Sequence, residues 1–179
     1  DWRRAHSVNL LGKDVSLVSY PGLFAGGDLD AGTALLLRLL PQIVKVPNLL
    51  LDYACGTGLL GMAARTLWPT AKIHALDHDA LALRAAALNL PQAELVQAES
   101  LTACSARYDL IVSNPPIHHG ALQDYSVVQK LVADAPDYLA RGGQLILVTQ
   151  QTVPVQRWAK QAVPLLQEDG YKIWSVKAG

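Results

Sequence analysis

Charged side chains are scarce in this sequence. They make up 17% of the 179 residues, and 15 basic residues balance 15 acidic ones, so the formal net charge is zero. Non-specific binding to nucleic acid depends mainly on Lys and Arg contacts with phosphates, so we expect no binding of RNA or DNA by charge alone. The one basic cluster, Arg3-Arg4 with His6 and Lys13, is interpreted as a solvated end of the chain.

Cysteine and long apolar runs are also scarce. The two cysteines, Cys55 and Cys104, lack the spacing of a zinc site or a disulfide framework, so we expect free thiols, no bound metal and a reducing, cytoplasmic location. Apolar stretches such as 49–51 are far shorter than the roughly 20 residues of a membrane span. The segment after Asp1 lacks the apolar core of a signal peptide. We therefore expect no membrane partner and a single buried core within residues 1–179.

Short apolar runs alternate with amphipathic segments along most of the chain. Five runs without polar–apolar alternation are predicted to be strands covered on both faces: 49–52, 73–76, 94–97, 110–113 and 145–149. Three amphipathic segments are predicted to be helices: 58–68, 79–89 and 124–139. An earlier helix is predicted to begin after Asp30 and end at Pro41, and Gly142-Gly143 to end the last helix. This order predicts a mainly parallel sheet with helices on both faces.

The C-terminal part of the sequence departs from this alternation. Asp169-Gly170 is typical of a tight turn, and it separates the strand-like segments 163–167 and 171–176. A terminal antiparallel hairpin is therefore predicted, which is unusual for nucleotide dehydrogenases. We expect one domain over residues 1–179, with an N-terminal strand and helix in 1–45 and the core in 46–179.

The segment 52–58 (DYACGTG) connects the first core strand to the next helix and is interpreted as a cofactor loop. Glycine lets the backbone approach a ligand, and a helix N-terminus presents unpaired N–H groups. Residues 56–61 match the dinucleotide fingerprint G-x-G-x-x-G, and Asp77 ends the second strand, where a carboxylate can accept from ribose hydroxyls. The alternative is a structural turn, with Asp77 acting only as a helix cap.

Asp52 indicates which cofactor the loop would hold. A carboxylate there suits a ligand with positive charge and repels a pyrophosphate. S-adenosylmethionine carries a sulfonium and an ammonium group, so it fits better than NAD. In the alternative interpretation Asp52 only orders the loop by accepting hydrogen bonds from its amides, and the two roles are compatible.

A second motif, the segment 113–120 (SNPPIHHG), follows the fourth predicted strand. Two prolines remove two N–H donors and stiffen the backbone, which leaves the Asn114 side-chain oxygen and the Pro115 carbonyl as acceptors. Such a pair suits a planar amino group and stabilises the positive charge that develops on its nitrogen during methyl transfer. His118 and His119 are interpreted as surface residues, or as residues that orient Asn114, contact the substrate or take the released proton. A bare turn is the alternative for the whole segment.

These motifs resemble class I S-adenosylmethionine-dependent methyltransferases that modify planar amino or amide nitrogens. More narrowly, the sequence is similar to the guanine-N2 methyltransferases of small-subunit ribosomal RNA. The similarity rests on 52–58, Asp77 and 114–116, and on the upstream segments 21–25 (PGLFA) and 29–33 (LDAGT). It implies a Rossmann-like three-layer sandwich with a seven-stranded, mainly parallel sheet and a C-terminal antiparallel hairpin. It also implies ribosomal RNA or the small ribosomal subunit as a partner.

The resemblance implies roles for individual residues. The implied cofactor-binding residues are Gly32, Thr33, Asp52, Gly56, Gly58, Asp77, Glu99, Ser100 and Asn114. Among them, Asp77 would bind the ribose, and Glu99 and Ser100 would lie near the adenine. Asn114 and Pro115 would be catalytic, because they would accept from the target amino group. Three further residues would contact the substrate: Pro116, Ile117 and His118.

Two positions depart from the family pattern. Ala54 replaces the first glycine of the loop, and a methyl group is tolerated there if φ stays negative. Ile117 replaces an aromatic side chain that stacks on the target base in many relatives. Stacking contributes about 1–3 kcal/mol per base, so its absence weakens the case for a nucleobase acceptor. Many relatives carry a second domain at the N-terminus, and residues 1–179 have no room for it. Because residue 1 is not Met, the question of whether upstream sequence is missing stays open.

Three functions therefore remain. The first is methylation of guanine N2 in small-subunit ribosomal RNA. The second uses the same chemistry on a protein glutamine or an adenine amino group. The third is a non-catalytic module that binds the cofactor or a partner.

Overall fold

The computed structural model describes residues 2–23, 29–43, 45–119 and 122–179. The strands are β1 Arg4–Leu10, β2 Lys13–Ser19, β3 Leu49–Tyr53, β4 Lys72–Asp77, β5 Glu94–Gln97, β6 Tyr108–Ser113, β7 His118–His119, β8 Leu122–Gln123, β9 Leu139–Gln150, β10 Val163–Glu168 and β11 Tyr171–Lys177. The helices are α1 Ala31–Leu39, α2 Leu59–Leu67, α3 Ala80–Asn89, α4 Ser126–Tyr138 and α5 Val155–Trp158, with 3-10 turns at Leu40–Gln42 and Leu101–Ala103.

Seven strands form the central sheet, in the order β10-β11-β9-β6-β3-β4-β5. Neighbouring strands from β9 to β5 are parallel, and β11 is antiparallel to both β9 and β10. The chain builds outwards from β3 to β5 and then crosses to β6 on the other side of β3. Ligands of open α/β sheets bind where the strand order reverses in this way, which places the candidate site at the carboxyl ends of β3 and β6.

Adjacent residues of the central strands point into two different cores. Leu50 and Leu110 pack in one cluster with the apolar faces of α1 and α2. Leu51 and Ile111 pack in the other, with the apolar face of α4. Because helices cover both faces of the sheet, both sets of side chains must be apolar. This explains the unbroken apolar runs in the sequence and confirms the predicted three layers.

The N-terminal segment is a β-hairpin of two strands, where one strand was predicted, and the basic side chains of Arg3, Arg4 and Lys13 are exposed as expected. β1 and β2 pair along their whole length around a turn in which Leu11 and Gly12 have φ of 53° and 84°. Leu10 and Leu17 are 1% exposed and belong to the same core as α1 and α2. The earlier interpretation of the basic cluster was incomplete, because the apolar side chains between its members anchor the hairpin to the fold.

The glycines at 142–143 do not end a helix. Helix α4 ends at Tyr138, and β9 begins at the next residue, so both glycines lie within β9. A Cβ atom on Gly143 would lie 2.6 Å from the Tyr108 carbonyl oxygen, at the point where the register between β6 and β9 shifts. The glycine therefore permits a close backbone approach between neighbouring strands.

The predicted C-terminal hairpin is confirmed. Asp169 and Gly170 form its turn, with φ of 50° and 81°.

In the described part of the chain, no helix has the length and apolarity needed to cross a membrane. The described residues also contain no cluster of three or more His, Cys, Asp or Glu side chains suited to a metal ion.

Candidate active site

Two adjoining cavities lie at the carboxyl ends of β3, β4 and β6. The first is lined by the loop after β3, the start of α1 and the Asn114 segment. The second is lined by Glu99, Ser100 and the start of α4. Ala54, Asp77, His78 and Pro116 border both, so the cavities form one continuous cleft. We call the first the loop cavity and the second the Glu99 cavity.

The loop after β3 has an unusual backbone at Ala54. Its φ is 54°, in the left-handed region, so the condition of a negative φ, under which the methyl group would be tolerated, is not met. The side chain makes this conformation unfavourable by about 1–2 kcal/mol relative to the right-handed one. Ala54 borders both cavities, which places the strained residue in the wall of the cleft.

Asp77 holds the loop in position from the end of β4. Its Oδ2 accepts from the Gly56 N–H at 2.9 Å, and its Oδ1 accepts from the Asp79 N–H at 3.0 Å. Asp79 caps α3 by accepting from the Leu81 N–H at 2.7 Å, as predicted. Asp77 therefore has a structural role. It also borders both cavities, so a ligand that extends from one cavity into the other would lie next to its carboxylate.

Asp52 lies beneath the loop and borders neither cavity. It is 1% exposed, and its Oδ2 accepts from the Gly61 N–H at 2.8 Å. No described group donates to its Oδ1. Burial raises the pKa of this carboxyl well above its usual value; the Gly61 N–H opposes the shift and the charge of Asp77 adds to it. The described contact of Asp52 therefore orders the first turn of α2, and it is not a contact with the amides of the loop 52–58 that the alternative interpretation named.

Gly32 and Gly58 also border neither cavity. A Cβ atom on Gly32 would lie 3.0 Å from the Tyr171 ring. On Gly58, whose φ is 82°, a Cβ would lie 3.0 Å from Leu90 Cδ1. Both glycines are therefore explained by close packing between elements, and cofactor contact is not needed to account for them. Of the glycines predicted to bind cofactor, only Gly56 borders the cleft.

Asn114 is held by a closed group of hydrogen bonds. Its Nδ2 donates to Thr33 Oγ1 at 2.9 Å and to Asp30 Oδ2 at 3.1 Å. The Thr33 hydroxyl donates to the same Asp30 oxygen at 3.2 Å. An ionised carboxylate has no hydrogen to donate, so the amide nitrogen of Asn114 must face Asp30 and its oxygen must face away. Both hydrogens of the amide are occupied, and Oδ1 is left for a ligand.

Asp30 is a site residue that the sequence analysis missed. It was predicted only as the cap of α1, and it does accept from the Thr33 N–H at 2.8 Å. Its contact with Asn114 joins residues 84 positions apart. The one available signal was its place in the segment 29–33, from which only Gly32 and Thr33 were selected.

The prolines after Asn114 take different positions. Pro115 is buried, whereas Pro116 borders both cavities. Just before them, the Ser113 hydroxyl donates to the Tyr53 carbonyl oxygen at 2.7 Å, which ties the end of β6 to the end of β3. The Ser113 contact therefore anchors the segment on the N-terminal side of Asn114.

Ile117 does not border the cleft. It is 8% exposed and packs in the core with Val128 and Leu131 of α4. This position does not support the predicted substrate contact of its side chain. The side chains of His118 and His119 lie outside the described residues, and so do Gly120 and the 24–25 part of the upstream segment 21–25.

Glu99 and Ser100 border the Glu99 cavity, separated from Asn114 by the shared wall of the cleft. The Tyr53 hydroxyl donates to the Glu99 carbonyl oxygen at 3.2 Å. Burial, together with the charge of Asp134, raises the pKa of Tyr53 to about 12, so this hydroxyl remains a donor at neutral pH. The contact fixes the backbone of the predicted adenine site.

The charge of the loop cavity is one-sided. Asp30, Asp77 and Asp79 border it, and its described lining contains neither Lys nor Arg. A carboxylate-lined cavity attracts cations and repels a pyrophosphate. The residues present therefore fit a ligand with a positively charged group and ribose hydroxyls, as in S-adenosylmethionine, better than they fit NAD.

Comparison with known proteins supports the same class of ligand. Residues 14–175 match the family model described as methyltransferase small domain. Ribosomal RNA small subunit methyltransferase C from Pseudomonas aeruginosa (strain LESB58) is 34% identical over 96% of this chain, and the protein of that name from Haemophilus influenzae (strain PittGG) is 32% identical over 98%. The chain spans 54% of each of them, about half the length of the curated relatives it matches.

Solved structures share the fold. The Thermus thermophilus 16S rRNA N2 G1207 methyltransferase, in complex with AdoMet and guanosine, superposes with a TM-score of 0.85 at 25% identity. The match covers 100% of this chain and 51% of that one. The ribosomal protein L11 methylase from Lactobacillus delbrueckii subsp. bulgaricus gives a TM-score of 0.69 at 20% identity over 88% of this chain and 83% of its own, and shows the fold alone.

Proposed function

This chain belongs to the methyltransferase small domain family, and from that premise we propose that it transfers a methyl group from S-adenosylmethionine to N2 of guanine in small-subunit ribosomal RNA. Its fold is the class I methyltransferase fold that the resemblance implied. The names of its relatives support RNA as the acceptor, and the guanosine complex of the Thermus thermophilus enzyme supports guanine N2.

The observation that carries the proposal is the locked amide of Asn114. Its Nδ2 is committed to Asp30 and Thr33, so Oδ1 is available as an acceptor at the edge of the loop cavity. Next to it, Pro115 is buried and is not among the described residues that border either cavity, and we propose that its carbonyl oxygen is the second acceptor. Two acceptors side by side suit a planar amino group, which has two hydrogens to donate.

The cofactor would lie along the cleft. S-adenosylmethionine supplies a methyl group on a sulfonium, which is an electrophile. Thr33 and Gly56 border the cavity where its methionine part would lie, Asp77 would accept from the ribose, and Glu99 and Ser100 would lie by the adenine. Asp52 would act from beneath the loop through Gly61 and through its charge.

Asn114 and Pro115 would assist the transfer by electrostatics. The amino nitrogen would accept the methyl group with its own lone pair and gain positive charge, while the bonding pair of the methyl group would stay with the sulfur. Two oxygen acceptors on the hydrogens of that nitrogen stabilise the charge as it develops. The nitrogen then loses one proton, so no strong base is required before the attack.

Residues 1–179 are proposed to fold as one domain. The sequence division at 45/46 does not mark a break in packing, because Leu10 and Leu17 of the hairpin share a core with Leu50 and Leu110 of the sheet. We place the protein in the cytoplasm, with ribosomal RNA or the small subunit as its partner. A net charge of zero gives little general attraction to phosphates, which supports recognition of a particular site.

One observation favours a different acceptor. No Phe, Tyr or Trp side chain is found in the described lining of the loop cavity, and Ile117 packs in the core. A protein glutamine or an adenine amino group would satisfy the same two acceptors. The experiment must therefore identify the labelled product.

The test is transfer of labelled methyl from S-adenosylmethionine into separated RNA, DNA and protein fractions of cells that lack this protein. We expect label in RNA, recovered after digestion as N2-methylguanosine, and little transfer by Asn114→Ala. Asn48→Ala is the matched control, because Asn48 is exposed and lies at the opposite end of β3. Label in protein alone, or in N6-methyladenosine, would replace guanine as the acceptor. Absence of label from every fraction would overturn the proposed activity for this chain.

A further inference from the structure

The contact between Asp30 and Asn114 is not required by the fold around either residue. Asp30 already caps α1 through the Thr33 N–H. The Asn114 segment is already tied to β3 through Ser113. The additional bonds from Asn114 Nδ2 to both carboxylate oxygens, at 3.3 and 3.1 Å, join two elements whose positions are otherwise determined.

Resting on the proposed function, we infer that Asp30 is a positioning residue for methyl transfer, which acts through the Asn114 amide and not on the substrate itself. The carboxylate fixes which end of the amide faces the cleft. Rotation of the amide by 180° would place Oδ1 against Asp30, where only the Thr33 hydroxyl could donate to it. The acceptor that the target amino group needs is therefore in position before the substrate arrives.

The charge of Asp30 contributes as well as its shape. A hydrogen bond from an amide N–H to a carboxylate is stronger than a neutral one and polarises the amide towards its oxygen. Polarisation increases the negative character of Oδ1, which would strengthen its bond to an amino nitrogen that is becoming positive. Thr33 supports the arrangement, because its Oγ1 accepts from Nδ2 and donates to Asp30.

The design of the test follows from the dual role of Asp30. Ser and Asn are as good N-caps as Asp, so Asp30→Ser and Asp30→Asn both keep α1 capped. Serine is too short to reach Asn114, whereas asparagine retains an acceptor oxygen without the charge. Asp109→Ser is the matched control, because Asp109 accepts from two backbone amides, of Asn48 and Leu49, at the opposite end of the sheet.

We expect kcat to fall by about 100-fold in Asp30→Ser and about 10-fold in Asp30→Asn, because loss of one preoriented electrostatic contact has effects of this order. The Kd for S-adenosylhomocysteine and the thermal midpoint should match those of Asp109→Ser. In an Asn114→Ala background, Asp30→Ser should cause no further loss. An equal kcat in Asp30→Ser and Asp109→Ser would overturn the inference. It would also be overturned if Asp30→Ser lowered kcat by the same factor in the wild-type and in the Asn114→Ala background.

A second measurement tests the Asp30–Asn114 hydrogen bonds without any methyl transfer, so that failure of these contacts can be distinguished from failure of the proposed function. The side-chain amide protons of Asn114 are observable by ¹⁵N NMR. In the wild type both Nδ2 protons should exchange slowly with solvent, and in Asp30→Ser their exchange should approach that of the exposed Asn48 amide. Fast exchange in the wild type would contradict the locked amide directly.

Discussion

The two strand ends that form the cleft are built in different ways. After β3, the loop 54–58 is shaped by its backbone, with left-handed φ at Ala54, Gly56 and Gly58. The Asp77 carboxylate accepts from the Gly56 N–H of this loop, and the Asp52 carboxylate accepts from the Gly61 N–H in the helix that follows it. After β6, the chain is stiffened by two prolines and held by side chains, since Asn114 is bonded to Asp30 and Thr33.

This difference indicates that the two strand ends have different roles. A loop shaped by backbone conformation can approach a ligand closely, and it is sensitive to changes in φ and in packing beneath it. A segment held by side-chain hydrogen bonds presents one oriented acceptor, and it is sensitive to the chemistry of a few residues. Changes after β6 should therefore alter catalysis, and changes around the loop should alter stability and cofactor affinity.

The largest expected effect is on catalysis, from Asn114→Ala. We expect kcat to fall by about 10²- to 10³-fold, the range found when one oriented group that stabilises transition-state charge is removed. The Kd for S-adenosylhomocysteine, measured by calorimetry, should change by less than about threefold, since most of the cofactor contacts are proposed to lie on the loop side of the cleft. A comparable loss in cofactor binding would show that the two strand ends do not divide their roles.

The second effect is on stability, from Gly58→Ala. The new methyl group would have a φ of +82° and a contact of 3.0 Å with Leu90, so we expect the free energy of unfolding to fall by about 2–3 kcal/mol. Gly170→Ala is the matched control, because Gly170 has a φ of +81° and open space around it. Urea unfolding of both variants separates the packing effect from the backbone effect. Equal losses would mean that α2 and α3 are not closely packed at Gly58.

The third effect concerns the buried carboxyl of Asp52. Its folded-state pKa is raised above the ordinary value of 3.8, so the folded protein binds more protons than the unfolded chain between those two pKa values. The free energy of unfolding should therefore decrease as pH rises through this range and stay lower above it. Asp52→Asn should remove that dependence and stabilise the protein at pH 7, because the buried side chain then carries no charge.

The Asp52 prediction is checked by urea unfolding at several pH values. Buffers between about pH 3.5 and 7.5 extend on both sides of the ordinary carboxyl pKa. The wild type and Asp52→Asn should converge at the acidic end, because the wild-type carboxyl is then neutral in both states. The opposite result would be a wild-type free energy of unfolding that increases with pH relative to Asp52→Asn. It would mean that the Asp52 carboxylate is ionised and has a partner that the described contacts do not include.

The smallest effect is expected from Ala54→Gly. Relief of the left-handed alanine is worth about 1–2 kcal/mol, and the added chain entropy of glycine offsets about 0.5–1 kcal/mol of it. We expect a net stabilisation of about 0.5 kcal/mol, visible as a higher urea midpoint. Ala5→Gly in β1 is the control, and it should destabilise by a similar amount because Ala5 does not have a positive φ. A loss of stability in Ala54→Gly would mean that the loop has another conformation.

The same contrast explains what could be predicted from the sequence. The turn at Asp169-Gly170 was recognised because both residues favour left-handed φ, whereas the equivalent turn at Leu11-Gly12 was missed because leucine does not. Asn114 was recognised because its local motif carries chemical meaning. The role of Asp30 was not, since it depends on a contact between residues 84 positions apart, and only the fold brings them together.

The loop shows a second limit of sequence analysis. Asp52, Gly32 and Gly58 were assigned to the cofactor, yet none of the three is among the described residues that border the cleft. A family motif combines residues that contact a ligand with residues that let the contacting ones take their positions. Sequence spacing cannot separate these groups, because both are confined to the same short segment.

The most direct test of the central claim is a calorimetric comparison of S-adenosylhomocysteine and NAD binding to the wild-type chain. The carboxylate-lined loop cavity predicts micromolar binding of S-adenosylhomocysteine and no detectable binding of NAD. NAD binding with equal or higher affinity would contradict the assignment of the cleft to a methyl donor. Binding of neither ligand would contradict the proposal that this chain holds a nucleoside cofactor at the ends of β3 and β6.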